Sequence, residues 1–419
     1  MFDSSGGAGT LTRGAKGTDM GTISERTAHL GTENAFVVLA EVEKLTAQGR
    51  DVVSFCIGQP DFVTPDNIRE AAIKAIREGR TGYTPSAGIP KLREAAAHEI
   101  GRLRGLDVSP AEVVVAAGAK PFIGYSILSV TDHGQGHEVI YPNPGFPIYD
   151  SQIEAMGAVP VPLYLQEAHD FAFDPGELRD KINENTRLVI LNSPHNPTGG
   201  TLRGDVLNEI ASVLAEHEHV WIYADEIYSR LVYDGEFESI ASYDGLRERT
   251  IIVDGASKTW AMTGWRIGYA ANKALAPYFT SWVTNTESCA PHPSQYAALE
   301  ALSGPQDEPD RMKKVFHRRR DLIVRLLGDV PGFECRMPGG AFYAWPNVTE
   351  ACRMVGADDS EHFRLRLLNE AGVAVLADIH FGHRRPGGGQ HIRFSYATSD
   401  DAIEKGVERI TGFIKKNTR

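Results

Sequence analysis

A lysine in an apolar and aromatic stretch is the first residue of this chain that could carry out chemistry. Lys258 follows an apolar strand predicted at residues 250–253, and Trp260 and Trp265 come shortly after it. Loss of solvent lowers the pKa of an amine, so a lysine in such a place becomes a usable nucleophile. Arg266 follows closely, and its forked donors could hold an anion such as phosphate. Because most lysines are solvated surface charges, this interpretation depends on the residues that meet Lys258.

Carboxylate, phenol and amide side chains follow two further predicted strands. Asp225 comes directly after the apolar run 220–224, and Tyr228 lies just beyond it. Asp225 is either a helix N-cap, which is the commoner role, or a buried anion that faces a cation such as a protonated ring nitrogen. Asn196 lies in a turn, residues 192–200, that prolines and glycines make rigid. It either bonds its own backbone, as many turn asparagines do, or presents its amide to a ligand.

A glycine turn follows the short apolar strand predicted at residues 113–116. Gly118, Ala119 and Lys120 lie at the start of the next predicted helix, which opens near Pro121. Backbone N–H groups and the helix dipole favour an anion at such a place. The commoner alternative is a glycine that is kept for turn geometry alone.

The elements that must position these residues alternate along the chain. Strands that are apolar on both faces are separated by helices, which is typical of a mostly parallel central sheet covered by helices. Ligands of such sheets bind beyond the carboxyl ends of the strands, where the residues above lie. Past about residue 300 the pattern changes to charged helices near 311–327 and to short strands near Phe342 and Ile392. This change predicts a second, smaller α+β domain.

The composition argues against several classes of function. The 419 residues include 43 Lys and Arg against 55 Asp and Glu, a net charge of −12. An acidic surface repels phosphate backbones and anionic lipid, so neither nucleic acid nor a membrane is an expected partner. No apolar run approaches the ~18 residues that a membrane span requires. The cysteines are scattered without metal-ligand spacing, so we predict no metal site and expect a reduced, cytoplasmic location.

Together these residues offer an amine, a carboxylate, a phenol, an amide, a guanidinium and a helix start to one ligand. A planar pyridine cofactor that bears an aldehyde, a hydroxyl and a phosphate needs such a set. From about residue 25 to its C-terminus the chain resembles the class I/II aminotransferases of pyridoxal 5′-phosphate (PLP) fold type I, and most closely their bacterial aspartate aminotransferase branch. The motifs that carry the resemblance are residues 57–62 (IGQPDF), 82–90 (GYTPSAGIP), 118–120 (GAK), 195–199 (HNPTG), 225–228 (DEIY), 257–268 (SKTWAMTGWRIG), 338–343 (PGGAFY) and 392–396 (IRFSY).

The resemblance implies a chemical role for four of these residues. Lys258 would form the internal aldimine with PLP and then move the proton between the substrate Cα and C4′ of the cofactor. Asp225 would pair with the protonated pyridine nitrogen and keep the ring an electron sink. Asn196 and Tyr228 would bond the ring hydroxyl. The catalytic residues that the resemblance implies are therefore Lys258, Asp225 and Tyr228.

The resemblance also implies how the remainder of the cofactor is held. Phe146 would stack on the ring, and Tyr83 would reach the phosphate of the neighbouring subunit, in a homodimer with shared active sites. The structural alternatives are that Phe146 is plain core and that Tyr83 is a buried strand aromatic. The residues expected around the phosphate are Gly118, Ala119, Lys120, Ser257 and Arg266.

The substrate would be held mainly by an arginine. The resemblance implies that Arg393 binds the substrate α-carboxylate as a bidentate pair, helped by the backbone at Gly58. A structural ion pair is the alternative for Arg393. Asn196 and Phe342 are also expected beside the substrate. Lys120 resembles a residue that favours dicarboxylates in some relatives, which indicates aspartate or glutamate.

The implied activity is transamination by ping-pong exchange. An L-amino acid, aspartate or a related one, gives its amino group to the cofactor, and a 2-oxo acid such as 2-oxoglutarate takes it up. An alternative is another PLP enzyme of the same fold from specialised metabolism, a cyclase, a β/γ-lyase or a C–C bond-forming synthase. The loops at residues 377–390 and 286–293 depart from the family pattern and face the expected substrate end. A transcription regulator with an aminotransferase-like domain would need a basic helix-turn-helix module, for which the Gly-rich stretch before Thr22 gives no pattern.

The predicted fold class is therefore α/β, a fold type I PLP-transferase with a smaller α+β domain. Residues 1–21 are expected to be a flexible tail. Residues 22–65 are expected to belong with the small domain, residues 66–300 to form the large PLP-binding domain, and residues 301–419 to form the small C-terminal domain.

Overall fold

Strands and helices alternate through the central part of the chain, as the sequence predicts. The computed structural model describes residues 23–418, so the predicted tail at residues 1–21 lies outside the described residues. The strands are β1 (Val53–Ser54), β2 (Val113–Ala116), β3 (Glu138–Asn143), β4 (Val159–Gln166), β5 (Ala172–Phe173), β6 (Thr186–Asn192), β7 (Trp221–Asp225), β8 (Thr250–Gly255), β9 (Gly268–Ala271), β10 (Tyr343–Ala344), β11 (Val373–Ala374), β12 (Leu376–Ala377) and β13 (Ile392–Ser395).

Helices of very different lengths connect these strands. They are α1 (Asn34–Ala47), α2 (Asp66–Arg77), α3 (Pro90–Arg104), α4 (Pro121–Val130), α5 (Ile148–Ala155), α6 (Pro175–Lys181), α7 (Gly204–Ala215), α8 (Ala256–Thr259), α9 (Ala276–Thr286), α10 (His292–Ser303), α11 (Asp307–Gly328), α12 (Thr349–Val355), α13 (Ser360–Arg366) and α14 (Asp400–Asn417). Within residues 23–418, no helix combines the length and the apolar character that a membrane crossing requires.

Eight of the described strands form the central sheet, in the order β2-β9-β8-β7-β6-β3-β4-β5. Strands β3, β4, β6, β7 and β8 run parallel to one another. Strand β9 is antiparallel to both β2 and β8, and β5 is antiparallel to β4. The prediction of a mostly parallel sheet is confirmed.

Helices cover both faces of this sheet, because successive strand residues are buried on opposite sides. In β8, Ile251 and Val253 pack in one apolar cluster with Phe122 of α4. Ile252 lies between them and packs in another cluster with Leu92 of α3. A strand that is apolar at every position requires such two-sided cover.

The register of the sheet brings the carboxyl ends of three strands together. Asn192 at the end of β6 lies opposite Asp225 at the end of β7, and Asp225 lies opposite Val253 of β8. Helix α8, which carries Lys258, follows β8 directly. The turns that the sequence marks for chemistry therefore meet at one edge of the sheet, as expected for an open α/β sheet.

The C-terminal part of the chain has its own small sheets and apolar cluster. Strands β10, β13 and β12 pair antiparallel, and β1 pairs parallel with β11 through Val53 and Val373. The cluster includes Phe316 of α11 and Ile410 of α14, together with Phe55 from the N-terminal segment. These contacts agree with a small domain that includes the N-terminal segment, while the boundaries at residues 65 and 300 stay predictions.

Two elements beside Lys258 have no signal in the sequence pattern. Helix α8 is a single turn, and β9 consists of Gly268, Tyr269 and two alanines. Glycine and alanine have little preference for strands. Strand β9 forms because β2 and β8 flank it on both sides and because all of its residues are buried.

Candidate active site

A cavity of about 500 Å³ lies at the carboxyl ends of the central strands. It collects residues from the turns after β2, β6, β7 and β8, from the N-terminal segment and from β13. The predicted site residues that line it are Gly58, Ala119, Lys120, Phe146, Asn196, Asp225, Tyr228, Ser257, Lys258, Arg266 and Arg393. The other predicted residues, Tyr83, Gly118 and Phe342, are not part of its wall in the described structure.

Lys258 points its amine into this cavity from the single turn of α8. Its Nζ donates a hydrogen bond to the carbonyl oxygen of Gly58 over 2.6 Å. Removal from solvent lowers the pKa of Lys258 from its ordinary value of 10.5 to about 8, and the Glu33 carboxylate opposes this change. Part of the Lys258 population therefore carries a neutral, nucleophilic amine near neutral pH.

Asp225 is a buried carboxylate that faces the cavity from the last position of β7. One oxygen accepts a hydrogen bond from the Tyr149 hydroxyl over 2.6 Å, and the other accepts a long one from the Ile227 N–H. Burial raises the pKa of Asp225 from 3.8 to about 6. No helix starts at Asp225, so the N-cap alternative is wrong. Among residues 23–418 no cation forms an ion pair with Asp225, which leaves this carboxylate available to a cationic ligand.

Asn196 and Arg393 meet in the wall of the cavity although they are far apart in the chain. Arg393 Nη1 donates to Asn196 Oδ1 over 2.8 Å. The Asn196 N–H donates to the side chain of Asn192, so Asn196 does not use its own oxygen to close the turn. The alternative of an ordinary turn asparagine is therefore wrong for this side chain.

Arg393 is a buried cation without a carboxylate partner among the residues that the structure describes. Its Nη2 donates to the carbonyl oxygen of Cys56 over 2.5 Å, and its Nε has no partner within the described part. The rings of Tyr343 and Phe381 lie on the guanidinium, with centroids 4.5 and 4.8 Å from Cζ. The structural ion pair that was the alternative for Arg393 is thus not formed. A buried guanidinium held in this way is suited to receive a carboxylate.

The turn after β2 provides a close fit between backbone and guanidinium. Gly118 has a φ of +101°, and a Cβ at this position would overlap the Arg266 guanidinium. Arg266 donates to the carbonyl oxygens of Ala117, over 3.3 Å, and Thr263, over 2.8 Å. The N–H groups of Ala119 and Lys120, which come just before α4, and the positive Arg266 side chain line the cavity and form a cradle for an anion.

Two tyrosines form a hydrogen-bonded pair at the cavity wall. The hydroxyl oxygens of Tyr228 and Tyr343 lie 2.7 Å apart. Burial raises the pKa of Tyr228 well above its usual range, so its hydroxyl keeps its proton. Phe342 is fully buried behind this pair, with its ring centroid 6.0 Å from Lys258 Nζ and 5.5 Å from the Tyr228 ring. Phe342 supports the wall from behind and does not form its surface.

Two predicted aromatic residues are placed differently from each other. Phe146 lines the cavity, with its ring 5.4 Å from Lys120 Nζ. Tyr83 is 88% exposed and lies outside the cavity of its own chain. The alternative that Tyr83 is a buried strand aromatic is wrong.

Several lining residues are absent from the sequence-based prediction, and three of them bond polar groups of the site. Tyr149 bonds Asp225, Tyr343 bonds Tyr228, and Glu33 forms an ion pair with Lys120. Tyr343 ends one of the quoted motifs, which is the signal that could have identified it. Tyr149 and Glu33 belong to none of those motifs, and only the fold brings α5 and the start of α1 to the cavity.

The comparison with known proteins decides the family. Residues 50–410 match the family described as aminotransferase class I and II. The chain is a class I/II aminotransferase. Its relatives include the aspartate aminotransferase of Geobacillus stearothermophilus, which is 40% identical over 396 residues that cover 94% of this chain and 99% of the relative.

Solved structures of related enzymes have the same fold as this aminotransferase. The aspartate aminotransferase of Rhizobium meliloti superposes with a TM-score of 0.89 at 33% identity, over 96% of this chain and 100% of the other. That of Thermus thermophilus with maleate gives 0.87 at 34% identity, over 94% and 100%. Fold type I is thereby confirmed, and these relatives favour transamination over the cyclase, lyase or synthase alternative.

Class I/II aminotransferases use pyridoxal 5′-phosphate, and the residues of this cavity fit that cofactor. Asp225 is a buried carboxylate without a cationic partner among the described residues, as a protonated ring nitrogen requires. The Gly118 turn and Arg266 form an anion cradle, and Lys258 has an amine with a lowered pKa. When bound, PLP supplies an aldehyde that accepts an amino group and a ring that withdraws electrons from the substrate Cα.

Proposed function

We propose that this aminotransferase moves the amino group of an L-amino acid, aspartate or a close relative of it, to a 2-oxo acid such as 2-oxoglutarate. The observation that carries the proposal is the presence, in one cavity, of a lysine with a lowered pKa and a buried arginine without a counterion in the described chain. Lys258 acts on the amino group of the substrate, and Arg393 binds its α-carboxylate. The names of the relatives support aspartate as a donor.

In this proposal Lys258 both attaches the cofactor and moves a proton at the substrate Cα. Its depressed pKa suits both tasks, because the neutral amine is the nucleophile and the base. Asp225 keeps the ring nitrogen protonated. Tyr228 and Asn196 bond the ring hydroxyl, the first as a neutral phenol.

The phosphate and the ring face have their own proposed partners. The backbone of Ala119 and Lys120 supplies N–H donors just before α4, Gly118 shapes the turn that presents them, and Ser257 and Arg266 complete the anion site. Phe146 packs on the ring from the cavity wall. None of these residues changes its protonation state in the reaction, so their contribution is binding and orientation.

The substrate is proposed to bind through its α-carboxylate to Arg393. The guanidinium is held by Asn196 and by the carbonyl oxygen of Cys56, so its orientation is set before the substrate arrives. Gly58 borders the same space and already accepts a hydrogen bond from Lys258. Phe342 maintains the Tyr228 and Lys258 positions from behind.

We further propose a homodimer in which Tyr83 reaches the phosphate site of the partner subunit. Its 88% exposure leaves the phenol available to a second chain. The division into residues 66–300 and 301–419, with residues 22–65 joined to the second part, is proposed on the contacts of β1 with β11. A cytoplasmic location is proposed because all four cysteines are free thiols.

A panel of amino donors tests the proposed function. Each L-amino acid is mixed with the purified holoenzyme in the absence of any 2-oxo acid, and the absorbance of the cofactor is followed. We expect stoichiometric conversion to pyridoxamine phosphate with at least one donor, and recovery of the original spectrum on addition of 2-oxoglutarate. Release of ammonia or of a cyclic product without pyridoxamine phosphate would contradict transamination.

A further inference from the structure

An ion pair occupies one side of the cavity and involves a residue to which no role has been given above. Glu33 precedes α1 at the N-cap position but makes no capping hydrogen bond with its side chain. Its carboxylate instead pairs with Lys120 Nζ. Both residues line the cavity, and their side chains are 21% and 41% exposed, respectively.

The other cations of the cavity wall already have partners or proposed tasks. Arg393 is proposed to bind the α-carboxylate, Arg266 the phosphate, and Lys258 the aldehyde. His380, the remaining basic residue of the described wall, lies 3.2 Å from the Glu361 carboxylate. Lys120 is therefore the cation of the described wall that could receive a second negative charge on a substrate.

Glu33 is placed so that its charge acts on the reaction space. Glu33 lines the same cavity as Lys258 and Tyr343. Burial lowers the pKa of Lys258 and raises that of Tyr343, and the Glu33 carboxylate opposes the first change and adds to the second. Its position in the wall beside Lys120 places the Glu33 carboxylate at the space that these groups share. A substrate carboxylate that enters this space meets Glu33 together with Lys120.

We propose that Glu33 is a specificity-determining residue, whose carboxylate competes with the second carboxylate of a dicarboxylic substrate for Lys120. This inference rests on the proposed function. The second carboxylate of an acidic substrate either displaces Glu33 from Lys120 or meets a Lys120 whose charge Glu33 already offsets. A substrate with an uncharged side chain does not depend on Lys120 in this way. Glu33 therefore lowers the preference of the enzyme for dicarboxylic over neutral substrates.

The structural alternative is that the pair only fastens the start of α1 to the turn after β2. A fastening role would alter all ligands alike, because it would change the cavity as a whole. Competition would alter only those ligands that carry a second carboxylate. Two unreactive ligands of equal chain length, succinate and butyrate, separate these roles, since they differ in one carboxylate.

The test is calorimetric titration of the holoenzyme with succinate and with butyrate. Four proteins are compared: the unmodified enzyme, Glu33→Gln, Lys120→Met and the double variant. We expect Glu33→Gln to tighten succinate binding by roughly three- to fivefold, the upper part of the range for a partly exposed ion pair. Butyrate binding is expected to change less than about twofold. In the Lys120→Met background the effect of Glu33→Gln on succinate is expected to disappear, because the contested cation is gone.

A matched control and a second variant keep the outcome unambiguous. Glu43→Gln makes the same change on an exposed position of α1 and is expected to leave both ligands unaffected. Glu33→Ser tests the same loss of charge with a good N-cap residue, which keeps the start of α1 stable. Equal changes for succinate and butyrate, or weaker succinate binding in Glu33→Gln and Glu33→Ser, would overturn the inference. Failure of the proposed function has a different readout, since no donor would then convert the cofactor to pyridoxamine phosphate.

Discussion

The Tyr149 hydroxyl donates a hydrogen bond to the Asp225 carboxylate over 2.6 Å at the inner end of the cavity. A neutral phenol orients the carboxylate without cancelling its charge. Burial therefore raises the pKa of Asp225 to about 6 in the chain without a bound cofactor. A cation that binds beside the ionised carboxylate offsets the free-energy penalty of burying its charge.

Replacing Asp225 with asparagine tests this account of the carboxylate. The pKa of Asp225 is about 6 when folded and near 3.8 when unfolded, so the folded chain holds the proton more tightly. The contribution of this group to the free energy of unfolding is therefore present at low pH. It falls by roughly 3 kcal/mol as the pH rises through about 6. In the cofactor-free protein, the free energy of unfolding of Asp225→Asn should therefore equal that of the unmodified chain near pH 4. Near pH 7 the variant should have the higher free energy of unfolding.

Urea unfolding of both cofactor-free proteins at these two pH values measures the difference. Asparagine can still accept the Tyr149 hydrogen bond, so the comparison isolates the charge. If the free energies of unfolding of the two proteins differed by the same amount at both pH values, the claim that Asp225 is a buried carboxylate with a raised pKa would be contradicted. With the cofactor bound, Asp225→Asn should lower kcat by about a hundredfold or more, because the ring nitrogen loses its anionic partner.

The lowered pKa of Lys258 predicts a pH dependence for its chemical modification. In the cofactor-free enzyme the neutral amine reacts with acetic anhydride, and its fraction rises as the pH approaches about 8. The rate of acetylation at Lys258, followed by mass spectrometry of the peptide, should reach half of its maximum near pH 8. A midpoint near the ordinary lysine value of 10.5 would mean that the amine is not desolvated.

Arg393→Lys is expected to weaken substrate recognition. Lysine keeps the charge but loses the fork that could bind a carboxylate through two donors. We expect kcat/KM for the amino donor to fall by about a hundredfold or more, and most of the change to lie in KM. Arg384→Lys is the matched control, because Arg384 pairs with Asp378 and does not line the cavity. Similar losses in both variants would contradict the role of Arg393.

Shared active sites predict complementation between two defective chains. Lys258→Ala lacks the amine, and Tyr83→Ala lacks the phenol that is proposed to serve the partner subunit. A mixed dimer has one site with both groups, so mixing should recover up to about one quarter of the full activity. Native mass spectrometry verifies that the subunits exchange. Mixed dimers without recovered activity, or a fully active Tyr83→Ala protein, would contradict the proposed sharing.

The sequence predicts those parts of the fold and site whose causes are local. The run of apolar residues at Val113–Ala116 ends in a glycine turn, and the structure has β2 at those bounds. Asp225 and Lys258 follow apolar runs, and this places them at the strand ends where the cavity forms. These predictions hold because consecutive residues determine both a buried parallel strand and the turn that ends it.

The environment of the same residues could not be predicted, since it depends on contacts between distant parts of the chain. Asp225 owes its raised pKa to burial, which the hydrogen bond from Tyr149 on α5 opposes in part, and no spacing in the sequence pairs these residues. Glu33 is a polar residue in the N-terminal segment, and only the fold brings it to Lys120. Strand β9 consists of glycine, tyrosine and alanines, and it forms because it pairs with a strand on each side.

The covalent bond between Lys258 and the cofactor aldehyde is the central claim, and borohydride reduction measures it directly. The purified protein is incubated with pyridoxal 5′-phosphate, reduced with sodium borohydride and digested, and the labelled peptide is sequenced by mass spectrometry. We predict one label per chain, on Lys258, and no stable label in Lys258→Ala. A label on a different lysine, or none in the unmodified protein, would contradict the account.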